Sequence, residues 1–261
     1  MKKLLLIALC ILTGVSHAQS TASFFKKADL VFNTYVKQNK VDYKAISEDS
    51  DLLDNALNDA KNISVSSLNS KTYQAFWINT YNLLVIKGIS DSYPIKSPLD
   101  IDGFFDTTTY SVGGKKVTLN DIENKLLREK FPNEPRFHFV LVCGALSCPP
   151  IIDHAYSPNF LDKQLQEQTV KAINNPNFLK VNDTSVAFSQ IMEWYNEDFT
   201  KNGQSLIQFS NAFRSTKIPE DAKVLIGPAL IAFTLIPFSP KSLAKYFTLA
   251  SNADLQTPIT L

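Results

Sequence analysis

One long segment of the sequence has the pattern of a helix with no water-facing side. Residues 72–89 have the 3.6-residue periodicity of a helix, and Gly88 and Pro94 mark its end. Apolar and aromatic side chains occupy nearly every side of this helix, so no face is suited to water. We therefore predict that the helix lies at the centre of the fold, with the other elements packed around it.

Two carboxamides, Asn79 and Asn82, interrupt the apolar surface of this helix. Burying either one without a hydrogen-bond partner costs about 1–3 kcal/mol. They can hold a loop in place, line a polar cleft, or orient a histidine as Asn does in papain-like sites. We favour the first role, with the turn at residues 143–150 as the candidate loop.

Helices and hairpins alternate irregularly around the central helix. Helical periodicity in residues 23–40 and 51–60 predicts an N-terminal helical layer. Residues 136–143 are apolar apart from Arg136 and His138, which is typical of a strand buried on both faces. We predict one α+β domain with a mainly antiparallel sheet packed against the central helix. Hairpins are predicted at residues 107–118 and 178–188, and helices at residues 121–130, 157–173 and 189–199, with helix, loop, strand and helix after residue 205.

The N-terminus has the three-part pattern of a secretory signal peptide. Lys2 and Lys3 precede a short apolar run, and Ser16-His17-Ala18 supplies small residues at the cleavage positions. We predict that residues 1–18 are removed and that residues 19–261 form a single domain in the periplasm or outside the cell. Acylation at Cys10 would divide the apolar run and is disfavoured. A membrane span needs roughly 20 apolar residues, and neither this run nor a later one reaches that length.

The charge balance of the exported chain argues against one class of partner. The full chain has 26 basic and 25 acidic residues, and the signal takes two lysines with it. A near-neutral chain does not predict a nucleic-acid surface. The sequence identifies no partner, and for an exported chain cell-envelope components are the candidates. No motif predicts a cofactor. The spacing of the Cys, His and Asp residues between 138 and 154 matches no metal site either.

Export leaves two cysteines, Cys143 and Cys148, which are separated by four residues. In an oxidising compartment they can form a local disulfide. They can instead be buried, inert thiols, or one can be a nucleophile if a cation or a histidine lowers its pKa. The disulfide or the inert pair is the commoner case. A redox-cycling pair ranks third, because it needs an exposed cysteine and a buried strand would cover Cys143.

His138 is the candidate base beside this pair. On a regular strand it shares a face with Arg136, whereas Cys143 points the opposite way, so a His138–Cys143 dyad is disfavoured unless a bulge intervenes. A hydrogen-bonded core histidine is the commoner case. Arg136 needs an acidic partner in its apolar segment, and Glu123 is the candidate. Arg128, five residues after Glu123, would not face it on a regular helix.

Five sequence blocks occur in a fixed order, namely Val41–Tyr43, Ala75–Asn82, Asp121–Arg128, Arg136–Pro150 and Trp194–Phe199. Together they resemble the family known as domain of unknown function 547, found in bacteria and plants. The resemblance covers about residues 41–200 and implies no particular reaction. Two departures accompany it. Asn124 stands where the family usually has a histidine, so a family site that uses this histidine is altered here, and residues 234–240 replace a usual Tyr-Asp-Trp-x-x-Asn element.

Two functions compete on these residues. The first is a thiol-dependent hydrolase or acyl-transfer enzyme of the cell envelope, with Cys148 preferred over Cys143 as nucleophile. His138 would be its base, and Asn79 or Glu123 would orient that base. The second is a non-catalytic envelope binding or scaffold domain held by a Cys143–Cys148 disulfide. Polar, reactive residues in apolar surroundings favour the enzyme.

Overall fold

A computed structural model describes residues 21–144 and 148–226 of the 261-residue chain. The predicted signal peptide lies outside these residues. So do the last predicted helix and the C-terminal segment that departs from the family pattern.

Helix α4, Ser70–Asp91, is the predicted central helix. Its N-terminus is capped by Asn69, whose side chain accepts a hydrogen bond from the Thr72 amide. Tyr73 and every residue from Ala75 to Ile86 are buried, so the buried side chains lie on all sides of the helix. This burial confirms the central position that the apolar sequence predicts.

The predicted N-terminal helical layer packs on α4. It consists of α1 (residues 21–35), α2 (Tyr43–Glu48) and α3 (Asp51–Asn62). Phe24 of α1 contacts Phe76 of α4, with 4.9 Å between the ring centroids. This layer and α4 form the first of two hydrophobic cores.

Three small sheets replace the one sheet that was expected, and the α+β class is confirmed. Both predicted hairpins are present, and β7 adds to the second of them in parallel. The strands are β1 (Val36–Lys37) with β2 (Lys40–Val41), β3 (Tyr110–Val112) with β4 (Lys115–Val117), and β5 (Leu179–Val181) with β6 (Ser185–Phe188) and β7 (Lys223–Ile226).

A second hydrophobic core lies under the three-stranded sheet. Aromatic side chains dominate it, among them Phe139, Phe178, Phe199 and Phe209. The surrounding helices are α5 (Leu161–Ile173), α6 (Gln190–Trp194), α7 (Asn196–Thr200) and α8 (Leu206–Phe213). The helix predicted over residues 189–199 is thus two short helices. None of the helices in the described residues is long and apolar enough to cross a bilayer.

The strand predicted over residues 136–143 is wrong. Residues Pro135–Phe139 form a 3-10 helix, whose first amide after Pro135 is capped by the Glu134 side chain. Residues 140–143 form a turn, a bend and irregular backbone, and they pair with no strand. The Asn82 side chain donates to the Val140 carbonyl at 2.9 Å and accepts from the Val142 amide at 3.0 Å. A side chain therefore supplies the hydrogen bonds that a neighbouring strand would give.

The segment around His138 joins the two cores. Phe137 is fully buried in the first core, and Phe139 is almost fully buried in the second. His138, between them, is 4% exposed. His138 is therefore buried at the junction of the two cores.

The helix predicted over residues 121–130 is a π-helix, Asp121–Arg128. It begins with a capping box, in which Thr118 and Asp121 exchange hydrogen bonds of 3.0 and 3.1 Å. A π-helix closes its hydrogen bonds over five residues, which brings side chains five apart to the same side. Glu123 and Arg128 accordingly both interact with Tyr195, contrary to the expectation for a regular helix.

Candidate functional site

A cavity of about 250 Å³ lies beside His138. Four of the predicted site residues line it: His138, Glu123, Cys143 and Cys148. The volume is just below the range of drug-sized ligand pockets, so it suits a group of about the size of a side chain. The other lining residues are Tyr81, Leu99, Phe105, Asn120, Leu141, Ile191, Trp194 and Tyr195.

Asn79, the remaining predicted site residue, is not among the lining residues. Its fully buried carboxamide donates to the carbonyl oxygens of Ala75 and Tyr156 and accepts from the Tyr156 amide, at 2.8 to 2.9 Å. These bonds hold the loop before α5 against α4. Asn82, one turn later, holds the segment that leads to Cys143. Both carboxamides therefore bond to backbone, and neither bonds to His138.

His138 is oriented by Asp198, a residue that the sequence reasoning did not select. The imidazole Nε2 lies 2.8 Å from Asp198 Oδ2, and Nδ1 has no hydrogen-bond partner among the described residues. A carboxylate only accepts hydrogen bonds, so Nε2 carries the proton and Nδ1 is the basic nitrogen. The Tyr195 ring stacks on the imidazole with 4.0 Å between centroids, which fixes its plane.

Asp198 is held as a carboxylate by its neighbours. Arg128 Nε donates to it at 2.7 Å, and Lys201 Nζ lies 3.2 Å from its other oxygen. Burial acts to raise the pKa of Asp198, but the hydrogen bonds and charges of His138 and Arg128 outweigh it and hold the pKa well below its ordinary value. The only signal for this residue in the sequence is its place in the last family block.

Asn124, the residue that departs from the family pattern, hydrogen-bonds to Arg128. The Asn124 side chain accepts a hydrogen bond from the Arg128 guanidinium and donates one to Asn120 at 2.6 Å. Arg128 also lies over the Tyr195 ring, 4.6 Å from its centroid. Asn124 thus acts through Arg128 on the Asp198–His138 pair rather than facing the cavity itself.

Glu123 lies beside two phenols in the cavity wall. Tyr81 donates to its carboxylate at a long 3.5 Å. Burial raises the pKa of Tyr81 well above its ordinary value and the charge of Glu123 raises it further, and the same two causes raise the pKa of Tyr195. Both phenols are therefore neutral hydrogen-bond donors.

The predicted Glu123–Arg136 pair is wrong. Arg136 pairs with Glu134 at 2.6 Å and with Asp162 at 2.8 Å. The 3-10 helix turns the Arg136 side chain back towards Glu134, two residues earlier, and away from the π-helix. Glu123 consequently keeps a carboxylate without an ion-pair partner among residues 21–144 and 148–226.

Cys143 and Cys148 are joined by a disulfide in the structure, with 5.9 Å between their Cα atoms. Both cysteines are half-buried. Gly144, next to Cys143, has a φ of +76°, and a Cβ there would lie 2.5 Å from Ile89 Cδ1. Glycine therefore lets the turn pack closely on the end of α4. Because the chain leaves His138 in a 3-10 turn, Cys143 reaches the same cavity as His138, which a regular strand would prevent.

Cys148 also lines a second cavity of about 170 Å³ on the other side of the turn. Tyr43, Gly144 and Pro149 are among its other lining residues. The disulfide thus forms part of the wall between the two cavities. In the described part of the chain, no three His, Cys, Asp or Glu residues are grouped so that they could hold a metal ion.

The low pKa of Asp198 predicts how stability changes in acid. Its contribution is present above the ordinary Asp pKa of about 3.9 and is lost as the pH falls below it, because the unfolded chain then binds the proton first. We expect the stability difference between the unmodified protein and Asp198→Asn to be largest near pH 7 and to shrink below pH 4. Urea unfolding across this range measures it.

Asp183→Asn is the matched control, since Asp183 is exposed and forms no side-chain hydrogen bond within the described residues. Its effect on stability should be small at every pH. A stability difference for Asp198→Asn that stays constant from pH 7 to pH 3 would contradict the assigned role of Asp198.

Residues 65–172 match the model of a family described as a protein of unknown function, DUF547. The match confirms the resemblance over this range, which contains α4, the π-helix and both cysteines. Asp198, Trp194 and Tyr195 lie beyond it. No curated protein and no solved structure matches the chain.

Proposed function

We propose that this chain, whose residues 65–172 match the DUF547 family model, is an exported thiol-dependent hydrolase or acyl-transfer enzyme of the cell envelope. One observation carries the proposal. The two cysteines left after export line the same cavity as His138, whose Nε2 is bonded to Asp198. A thiol, a base and an orienting carboxylate are the parts that thiol hydrolases use.

The proposed chemistry begins with reduction, because a sulfur in a disulfide cannot attack a carbonyl. A thiol reductant supplies two electrons and two protons, the S–S bond breaks, and two thiols form. His138 Nδ1 then takes the proton from the Cys148 thiol, and the thiolate attacks the acyl carbon of a substrate. His138 returns the proton to the leaving group, and a thioester forms on Cys148. Water or another nucleophile then takes the acyl group.

Cys148 is the preferred nucleophile because of its position. It lines both cavities, whereas Cys143 lines only the first. The residue therefore borders both cavities. Asp198 is a positioning residue in this scheme, since it keeps the proton on Nε2 and leaves Nδ1 free to act as base.

A second candidate function is a non-catalytic envelope binding or scaffold domain. The observation in its favour is the disulfide, which closes the wall between the two cavities. In this case the oxidised form is the working form, and reduction would only loosen the turn. The thiols would then show no unusual reactivity.

Labelling with iodoacetamide separates the two candidates. For the enzyme, we expect no label on the native protein as isolated, and fast labelling of Cys148 ahead of Cys143 after mild reduction. Peptide mass spectrometry assigns the sites, and urea-unfolded, reduced protein serves as the control in which both cysteines react equally. If Cys148 in the reduced native protein reacts no faster than in the unfolded control, the binding domain is the better proposal.

Export is tested independently of the chemistry. We expect protein recovered from the envelope fraction of an expressing bacterium to begin at Gln19, and Cys10→Ser to leave this processing unchanged. Intact mass and N-terminal sequencing measure both. Full-length protein that keeps Met1 in the cytoplasmic fraction would contradict export.

A further inference from the structure

We infer that the cavity binds a ligand with a primary ammonium group on an aromatic or apolar body, with the ammonium on Glu123 and the body against Trp194 and Leu99. This inference names a ligand class for the cavity of the proposed enzyme. It rests on the proposed function only for the reaction that follows binding.

The charge on the cavity wall points to a cation. Among residues 21–144 and 148–226, Glu123 is the acidic residue that lines the cavity, and none of the lining residues is a lysine or an arginine. Arg128 is paired with Asp198, so it does not neutralise Glu123. A partly enclosed carboxylate without a counter-ion favours a positively charged ligand and disfavours an anionic one.

The hydrogen bonds of Glu123 leave room for such a ligand. A carboxylate has about four acceptor positions. The contact from Tyr81 is long, at 3.5 Å, and the two phenols are neutral donors that add no positive charge. A primary ammonium has three donors, so it can bond to Glu123 and still reach another acceptor.

Apolar side chains at the mouth of the cavity form the contact surface for the apolar body of the ligand. Leu99 is 59% exposed and Trp194 is 55% exposed, and both line the cavity. Phe105, Leu141 and Ile191 add apolar surface to the wall. A large aromatic residue held open at a cavity mouth is a platform on which a flat or apolar group can stack. The acid and this platform together select an amine that carries an apolar body.

Three probes of similar shape and different charge test the inference. They are 2-phenylethylamine, 2-phenylethanol and 3-phenylpropionate, added to the oxidised full-length protein. Trp194 fluorescence is the readout, because the only other tryptophan of the two in the chain, Trp77, is buried. We expect the amine to bind about tenfold or more tightly than the alcohol, and the carboxylate to bind most weakly.

Three variants locate the effect. Glu123→Gln should remove the advantage of the amine over the alcohol, whereas Glu193→Gln should keep it, since Glu193 is exposed beside Trp194 but does not line the cavity. Trp194→Phe should abolish the fluorescence change, and calorimetry then measures the remaining affinity. Circular dichroism checks that each variant is folded.

The charge series on the unmodified protein decides the inference even if a variant fails to fold. Equal affinity for the three probes, tighter binding of the carboxylate, or no binding of the amine by calorimetry at millimolar concentration overturns it. The oxidised protein has no free thiol at the disulfide, so these results do not depend on thiol chemistry. A selective amine site without reactive Cys148 would support this inference and contradict the proposed enzyme.

Discussion

Replacing Asn79 with alanine is expected to lower the free energy of unfolding by about 3–5 kcal/mol. The substitution leaves the N–H and C=O of Tyr156 without partners, and each unsatisfied buried group costs about 1–3 kcal/mol. Tyr156 is itself buried, so water cannot easily replace the lost bonds. Urea unfolding followed by circular dichroism measures the change.

Asn55→Ala provides the matched control for this experiment. Asn55 is an exposed residue of α3, and its side chain forms no hydrogen bond within the described residues. The same chemical change there should alter stability by less than about 0.5 kcal/mol. Equal effects at the two positions would show that the Asn79 bonds contribute nothing to the fold.

The second large effect concerns the reactivity of Cys148. In a Cys143→Ser background Cys148 has no disulfide partner, so its alkylation by iodoacetamide can be measured without a reductant. We expect His138→Gln to slow this alkylation about 100-fold at pH 6, because a cysteine without a basic partner has a pKa near 8.5 and little thiolate at that pH. The difference should nearly vanish above pH 9.

The pH profile distinguishes this role from a structural one. His154→Gln is the control, since His154 is exposed and bonds to Asp153. Asp198→Asn should reduce the rate at pH 6 to an intermediate value, because it frees the imidazole to change tautomer. A rate at pH 6 that is the same with and without His138 would contradict the proposed base.

The sequence predicts elements whose hydrogen bonds are local. Helix α4 follows from its apolar periodicity, the first hairpin follows from its Gly113-Gly114 turn, and the second follows from two short strand-like runs a few residues apart. The error at residues 136–143 has a different origin. An apolar run indicates burial, but the partner that satisfies its backbone is the Asn82 side chain, about 60 residues earlier in the chain. Composition and periodicity carry no information on such a contact.

The same distinction holds for the candidate site, where some residues could be predicted from the sequence and others depend on tertiary packing. Residue type and spacing indicate Cys143, Cys148, His138 and Glu123 as candidates, and the structure places all four around one cavity. The position of Asp198 could not be deduced, because it depends on how α7 packs across the junction of the two cores. The geometry of Glu123 and Arg128 depends on a π-helix, for which the sequence gives no periodic signal.

Three consecutive residues, Phe137, His138 and Phe139, belong to the first core, the cavity and the second core. A ligand in the cavity therefore touches a segment whose flanking residues, Phe137 and Phe139, are each buried in one of the two cores. The free energy of binding should therefore stabilise both halves of the protein against unfolding, since unfolding of either half would displace the His138 imidazole. In calorimetry, a bound amine is expected to move a single heat-absorption peak to higher temperature, and not to split it into an early and a late component.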